Sequence, residues 1–291
     1  MARGIDHLVL AVRDLDAAAA HYRAMGFTVG ARNRHPWGTQ NHIVQFPGAF
    51  LELIALGEGV EIAPEAPGTF SFAARIRDAL ARNGDNFAML VVESADALAD
   101  KAEFDAAGFG GFETFFFERM GTRPDGSTAR VAFTLAFAAD AALPEVGFFA
   151  CQQHEPQNFW NPAFQDHANG AKKLGGIVML AQDARVPLAL LQTLSDAPPV
   201  CVGERNIAIV TPRGTLEAMT PACWRDVLGL EADLDLGAGP RLAAFKIVAP
   251  VEAMAERLTA AQIPFIRHRK HIAVAAADNF GAALVVEEPK R

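Results

Sequence analysis

The chain has 291 residues, 51% of them hydrophobic and 21% charged, which is ample for two domains with ordinary cores and excludes a disordered chain. Twenty-six basic against thirty-four acidic residues give a net charge of −8 without long like-charge runs, so no basic stripe exists to neutralise phosphates and no nucleic-acid partner is expected. Three widely spaced cysteines (Cys151, Cys201, Cys223), no signal-peptide pattern and no window of eighteen apolar residues lead us to expect a reducing, cytoplasmic setting with no membrane partner.

In chain order, GIDHLVLAV (Gly4–Val12) reads as a strand and DLDAAAAHYRAMGF as a helix running into a second strand. NHIVQFP and AFLELIAL read as two more, giving a β-α-β-β-β unit. FSFAARIRDALARNG (Phe70–Gly84) has helical periodicity and connects to a second copy. There NFAMLVVES is a strand, ADALADKAEFDAAGF a helix, and FETFFFERM, TARVAFTLAFA and EVGFFACQQH three strands, with Pro124-Asp125-Gly126 as a hairpin turn.

Two further copies follow. KLGGIVMLAQD, VPLALLQTLSD, CVGERNIAIVTP and GTLEAMTP form the third; RLAAFKIVAP, VEAMAERLTAAQI, PFIRHRKHIAVAA (a strand or a strand pair) and FGAALVVEE the fourth, with PACWRDVLGLEAD as a short helix between them. This repetition predicts an α+β protein of tandem βαβββ units pairing into two domains, residues 1–160 and the shorter, degenerate 161–291. The segment Glu155–Lys173 between them, with Phe159, Trp160 and Phe164, is expected to pack over one domain, across a cavity mouth, or as a staple between the two.

His7 and Glu52 stand in the first and last strands of the first unit. A glutamate beside Phe50 and Ile54 is costly to bury alone, so a cation, a histidine or an arginine is implied as its partner. An imidazole with a carboxylate suits Zn²⁺, Fe²⁺, Mn²⁺ or Ni²⁺, and equally a structural hydrogen-bonded pair. Aligning the second unit puts Phe87 at the His7 position and Ala150 or Cys151 near that of Glu52. Gln152 and His154 then become candidate third and fourth ligands, and a one-residue slip exchanges them for Gln153 and Glu155. RNRHPWGTQNH (Arg32–His42) reads as a ligand-binding rim: Arg34 or His35 to hold a carboxylate or polarise a carbonyl, with Trp37, Thr39, Asn41 and His42 as contacts, or as a plain solvated hairpin.

In the C-terminal half Gly176 falls at the His7 position, and Glu217 and Glu287 match Glu52, so that half reads as a scaffold. His268 and His271 are placed in one strand, facing opposite ways, and His21 on the wet side of the first helix. The common dinucleotide, P-loop, zincin and serine-hydrolase motifs are absent.

GIDHLVLAVRDLDAAAAHYRAMGFTV followed by HPWGTQNHIVQFPGAFLELIAL resembles the glyoxalase-like branch of the vicinal-oxygen-chelate superfamily. The resemblance implies two cupped mixed sheets around a divalent metal, with His7 and Glu52 as ligands. It implies a lyase or isomerase acting on a small oxygen-rich substrate through an enediolate-like anion, with Glu52, or a carboxylate or imidazole displaced from the metal, as base and Arg34 and His35 orienting the substrate. Two alternatives stand beside it: a metal-free binding protein with an apolar or aromatic ligand in the same cup, and an extradiol dioxygenase-like enzyme. An exposed sheet edge makes a homodimer a further expectation.

Overall fold

Every residue of β1 (Ile5–Ala11) is buried, because both faces of this central strand are covered. Asp14 then accepts a hydrogen bond from the Ala17 amide (2.9 Å), which caps and starts α1 (Leu15–Ala24). β2 (Asn33–Arg34), β3 (Thr39–Phe46) and β4 (Ala49–Leu56) complete the first unit. Ser71 caps α2 (Phe72–Asn83), the connector. The second unit is β5 (Asn86–Glu93), α3 (Ala97–Ala106), β6 (Phe115–Thr122), β7 (Thr128–Ala138) and β8 (Gly147–Gln153). This computed structural model describes residues 1–62, 66, 68–122 and 127–290, and the expected Pro124-Asp125-Gly126 turn lies outside them.

A short helix, α4 (Pro156–Phe159), and a 3₁₀ turn at Pro162–Phe164 lead to the second half. There β9 (Lys173–Leu180), α5 (Leu188–Ser195), β10 (Pro199–Val202), β11 (Asn206–Val210) and β12 (Thr215–Met219) form the third unit. The connector α6 (Pro221–Leu228) precedes β13 (Arg241–Val248), α7 (Val251–Ala260), β14 (Ile266–His268), β15 (His271–Val274) and β16 (Ala283–Glu287). None of the described helices is long and apolar enough to cross a membrane.

The strands form two eight-stranded sheets, ordered β2-β3-β4-β1-β5-β8-β7-β6 and β10-β11-β12-β9-β13-β16-β15-β14. In each, the two βαβββ units join through an antiparallel pair of first strands, β1 with β5 and β9 with β13. The fold is the expected α+β architecture of paired units. One face of each sheet, with α1, α3, α5 and α7, enters a single continuous core that includes Leu8, Tyr22, Phe104, Leu191, Phe245 and Met254. The other faces point away from that core, and each is crossed by its connector. Phe72, Ile76 and Leu80 of α2 pack on the first; Cys223, Trp224 and Leu228 of α6 pack on the second.

Three sequence expectations are corrected here. Phe87 does not occupy the counterpart of His7: it points into the shared core against Phe245 (ring centroids 6.2 Å), and its neighbour Ala88 faces the cup. His268 and His271 do not share one strand but pair across a hairpin, rings 5.6 Å apart, because Arg269 turns the chain at φ 52°. His21 is not on a wet face; it packs against Phe280 of the last unit at 5.4 Å, and burial lowers its pKa.

Candidate active site

Strand alternation carries the site. His7 and Val9 pair in parallel register with Phe50 and Glu52, so all four side chains rise from one face of the first sheet. His7 lies flat on Phe50 (centroids 4.3 Å, 10° between planes) and edge-on to Phe149 (5.5 Å). Both His7 and Glu52 line one cavity, as expected, beneath a wall that includes Trp37, Phe50, Phe72, Phe117, Phe133 and Phe149. The cavity is narrow, with about 70 Å³ of free space for solvent-sized occupants.

Asp6 reaches the same place through an irregularity. Ile5 pairs with Val92 but His7 pairs with Val91, so Asp6 is the extra residue of a bulge that turns its side chain towards His7. His7 Nδ1 lies 2.6 Å from Asp6 Oδ1, and Gln153 Nε2 donates to Asp6 Oδ2 at 2.7 Å. A carboxylate at Nδ1 holds the proton there and leaves Nε2 as the free lone pair. Cys151 completes the group: one ligand atom from each of Asp6, His7 and Cys151 lies within 4.8 Å of the others, the sole such trio among the described residues. Burial first, then the charges of Asp6 and Glu52, push the Cys151 thiol well above its ordinary pKa.

Glu52 belongs to a second network. Asn33 Nδ2 donates to Asn41 Oδ1 (3.0 Å), which fixes the Asn41 amide so that its NH₂ faces Glu52 Oε1 (2.5 Å) and His35 Nε2 (3.4 Å). His35 Nε2 therefore accepts, and Nδ1–H donates to Thr39 Oγ1 at 2.8 Å. The ring stacks on Trp37 at 4.6 Å and 10°. Burial lowers the His35 pKa against the opposing charge of Glu52, with Arg119 lowering it further. The ring stays neutral near pH 7.

Arg119 of β6 also lines the cavity. Its pKa is lowered by burial and supported by Glu52. Among the described residues no carboxylate lies within ion-pair distance of it. A mostly buried cation without a paired anion is costly unless a ligand supplies one. Trp37 Nε1 is likewise buried without a hydrogen-bond partner among the described residues.

The remaining expected residues lie elsewhere. Arg34 is exposed and does not line the cavity. His42, on the opposite face of β3, binds the Gly30 carbonyl through Nδ1 (2.8 Å). Thr39 acts only through His35. Gln152 spans Ala95 O and Ala97 N at the start of α3, both at 3.1 Å, and exposed His154 binds Thr134 Oγ1 at 2.7 Å. Register puts Phe149, Cys151 and Gln153 in the cup, so Gln152 and His154 face out. The one-residue slip is the arrangement adopted for Gln153. Alternation in FETFFFERM, which sets Phe115, Phe117 and Arg119 on one face, was a signal for Arg119; nothing in the sequence betrayed the bulge at Asp6.

A metal implied by the resemblance meets a changed donor set. The expected His7, Glu52, Gln152 and His154 do not assemble, whereas Asp6, His7 and Cys151 do, offering O, N and S atoms of a kind that suit Zn²⁺ or Fe²⁺. Both Asp6 oxygens already have partners, which leaves His7 Nε2 and Cys151 Sγ as the free donors.

The segment after β8 closes the cup. Phe159 lines the cavity and packs on Phe50 (5.2 Å) and Phe133 (5.7 Å). Gln45 clamps this strap, donating to Phe159 O (2.9 Å) and accepting from Asn161 N (3.2 Å). His167 anchors its far end, accepting from Thr28 N (3.0 Å) and donating to Gln45 O (2.9 Å).

Solved structures share this architecture at low sequence identity. A hypothetical protein from Staphylococcus aureus superposes with a TM-score of 0.68 at 12% identity, over 99% of this chain and 100% of that one. A mutant of 4-hydroxymandelate synthase from Streptomyces coelicolor gives 0.53 at 11% identity, covering 100% and 94%. The 2,2',3-trihydroxybiphenyl 1,2-dioxygenase from a dibenzofuran-degrading Sphingomonas wittichii gives 0.51 at 12%, covering 99% and 91%. These likenesses show the fold alone. No curated protein sequence matches the chain. A family model described as a glyoxalase-like domain matches residues 5–195, two-thirds of the length, and the chain belongs to that family within the vicinal-oxygen-chelate superfamily.

Proposed function

We propose that the first cup binds a small aryl or alkyl 2-oxo acid and catalyses proton abstraction beside its carbonyl, as a lyase or isomerase working through an enolate-like anion. One observation carries this reading: Glu52 and Arg119 face the same apolar cavity without pairing with each other. Arg119 would hold the carboxylate and the adjacent oxygen, and as negative charge moves onto that oxygen its guanidinium would stabilise it. Glu52, with Oε1 held by Asn41, would take the proton on its other oxygen. His35 acts as a positioning residue, fixing Asn41 and Trp37. The aromatic wall and Phe159 exclude water, which strengthens both charges.

Phenylpyruvate is a suitable probe. The protein should accelerate deuterium uptake from solvent at the carbon beside the carbonyl, followed by NMR. Glu52→Gln should cut the rate by about 10²–10⁴ while leaving binding within a few-fold. Exchange at the wild-type rate in Glu52→Gln would remove the base from the scheme. Binding without any accelerated exchange would instead make the chain a binding protein for the same acids.

A second reading is favoured by the closeness of Asp6, His7 and Cys151. A divalent cation there, when bound, would polarise the same carbonyl oxygens as a Lewis acid. Elemental analysis of untagged protein, His7→Ala and Cys151→Ser tests it; stoichiometric metal retained in both variants would place the ion elsewhere.

A further inference from the structure

The cavity that holds Glu52 is too small to be the whole binding site. At about 70 Å³ it takes on the order of half a dozen non-hydrogen atoms, since one water needs roughly 10–15 Å³ of such space. A second space of about 320 Å³ lies under the strap, bordered by Gly30, Ala31, Asn33 and the residues 157–162. Ile43, Arg119 and Phe159 line both spaces. They form the partition, and the guanidinium of Arg119 is at the junction.

Most of the polar side chains around the outer chamber are already bonded within the protein. Gln45 is spent on Phe159 O and Asn161 N, Asn161 Oδ1 on Ala163 N, Asn158 Nδ2 on Arg130 O, and Asn33 Nδ2 on Asn41. What remains is shape, the exposed amide of Gln157 at the edge, and the side chain of Trp160, whose ring lies 4.9 Å from that of Phe159. Such a chamber suits an uncharged, flat substituent.

We propose that the physiological ligand is bipartite: a branched acid whose carboxylate sits at Arg119, with a small apolar group in the inner cavity and a second, neutral acyl or aryl substituent in the outer chamber. This rests on the reading of Arg119 as the carboxylate anchor. The anion lies in the middle of the molecule, not at its end, because the only unpaired cation lining the two spaces among the described residues stands at the partition. Such a ligand has its acidic C–H carbon between the two chambers, on the inner side of which Glu52 stands.

The test compares two probes by calorimetry. 3-Phenylpropionate places its six-membered ring in the inner cavity and its carboxylate at Arg119; N-benzoylphenylalanine adds a neutral aryl amide beside the carboxylate. The second should bind at least 10-fold more tightly. Ala31→Trp, at an exposed position in the outer chamber, should abolish that advantage and leave 3-phenylpropionate unchanged; Gln157→Trp, on the exposed strap, provides a second obstruction if the first disturbs folding. Equal affinities for the two probes, or an advantage that survives both tryptophans, would overturn the two-chamber ligand while the inner anchor stands. If neither probe binds, the anchor itself fails, and the bipartite ligand with it.

Discussion

Replacing Arg119 by methionine should weaken ligand binding and stabilise the free protein at the same time. The aliphatic stem can be mimicked by methionine against Ile43, Phe117 and Phe159, with which it lines the cavity, so little packing is lost. The charge is the difference. Burial lowers the pKa of this guanidinium, and no carboxylate among the described residues pairs with it, so the free protein bears a desolvation cost that the charge of Glu52 offsets only in part. Substituting an apolar group for such a charge stabilises by about 1 kcal/mol or more. For a chain of this size that is a Tm increase of roughly 2 °C, readable by differential scanning calorimetry. A charge-assisted bidentate contact to a carboxylate contributes about 3 kcal/mol, so affinity for 3-phenylpropionate should fall about 150-fold. A Tm lowered by several degrees would show that the guanidinium is a structural member of the fold and not a waiting anchor, and the argument from its unpaired state would be refuted.

Other expectations follow from single contacts. Asp6→Asn should move the His7 proton from Nδ1 to Nε2, seen in ¹⁵N spectra; an unchanged tautomer would mean that the Asp6 contact does not orient the ring. Cys201, exposed, should react with iodoacetamide in the native protein, whereas Cys151, its thiol pushed up by burial, should react only on unfolding; fast native labelling of Cys151 would contradict its enclosure. His167 accepts an amide hydrogen at Nδ1 and its pKa is lowered, chiefly by burial, so the unfolded chain takes up a proton near pH 6.5 that the native state refuses. Stability should therefore be level above pH 6.5 and decline as pH falls below it, with the neighbouring strap loosening first. A His167 that titrates at or above 6.5 in the folded protein would reverse that sign.

How far the sequence could be read depended on what kind of information each feature needs. Alternation in GIDHLVLAV and AFLELIAL was enough to set His7 and Glu52 on one face, because a central strand buried on both sides leaves little freedom of register. The bulge at Asp6 was invisible, since an extra residue in one strand is defined only by its partner β5. A like irregularity in β5, where Val9 pairs with Met89 and Leu10 with Phe87, turned Ala88 and not Phe87 to the cup. His154 and Gln152 were misplaced by one residue although β8 is regular, because which face of β8 looks into the cup is set by its register with β5 and β7. Of the polar run Arg32–His42 only alternate members face inward: His35, Trp37 and Asn41 line the cavity, while Arg34 points to water.

The second sheet shows, by contrast, what the first cup leaves unneutralised. Val178 pairs with Glu217 as Val9 pairs with Glu52, and Gly176 with Thr215 as His7 with Phe50, so the two cups carry the same positions. In the second, the imidazole is missing, and Lys246, directly opposite Gly176, extends its ammonium to Glu217 (2.6 Å) and towards Glu287 (3.6 Å). The chain thus neutralises this carboxylate with its own cation, whereas the first cup leaves Glu52 to Asn41 and holds Arg119 apart from it. Lys246→Met should consequently destabilise the protein by about 3 kcal/mol at pH 7, the usual effect of orphaning a buried carboxylate. Adding Glu217→Gln should restore most of that loss, because the glutamine keeps the Thr215 hydrogen bond without the charge. Urea denaturation of the single and double variants measures both. If the single variant is as stable as the parent, Glu217 does not depend on the ammonium, and the contrast between a self-neutralised cup and an open one loses its energetic basis.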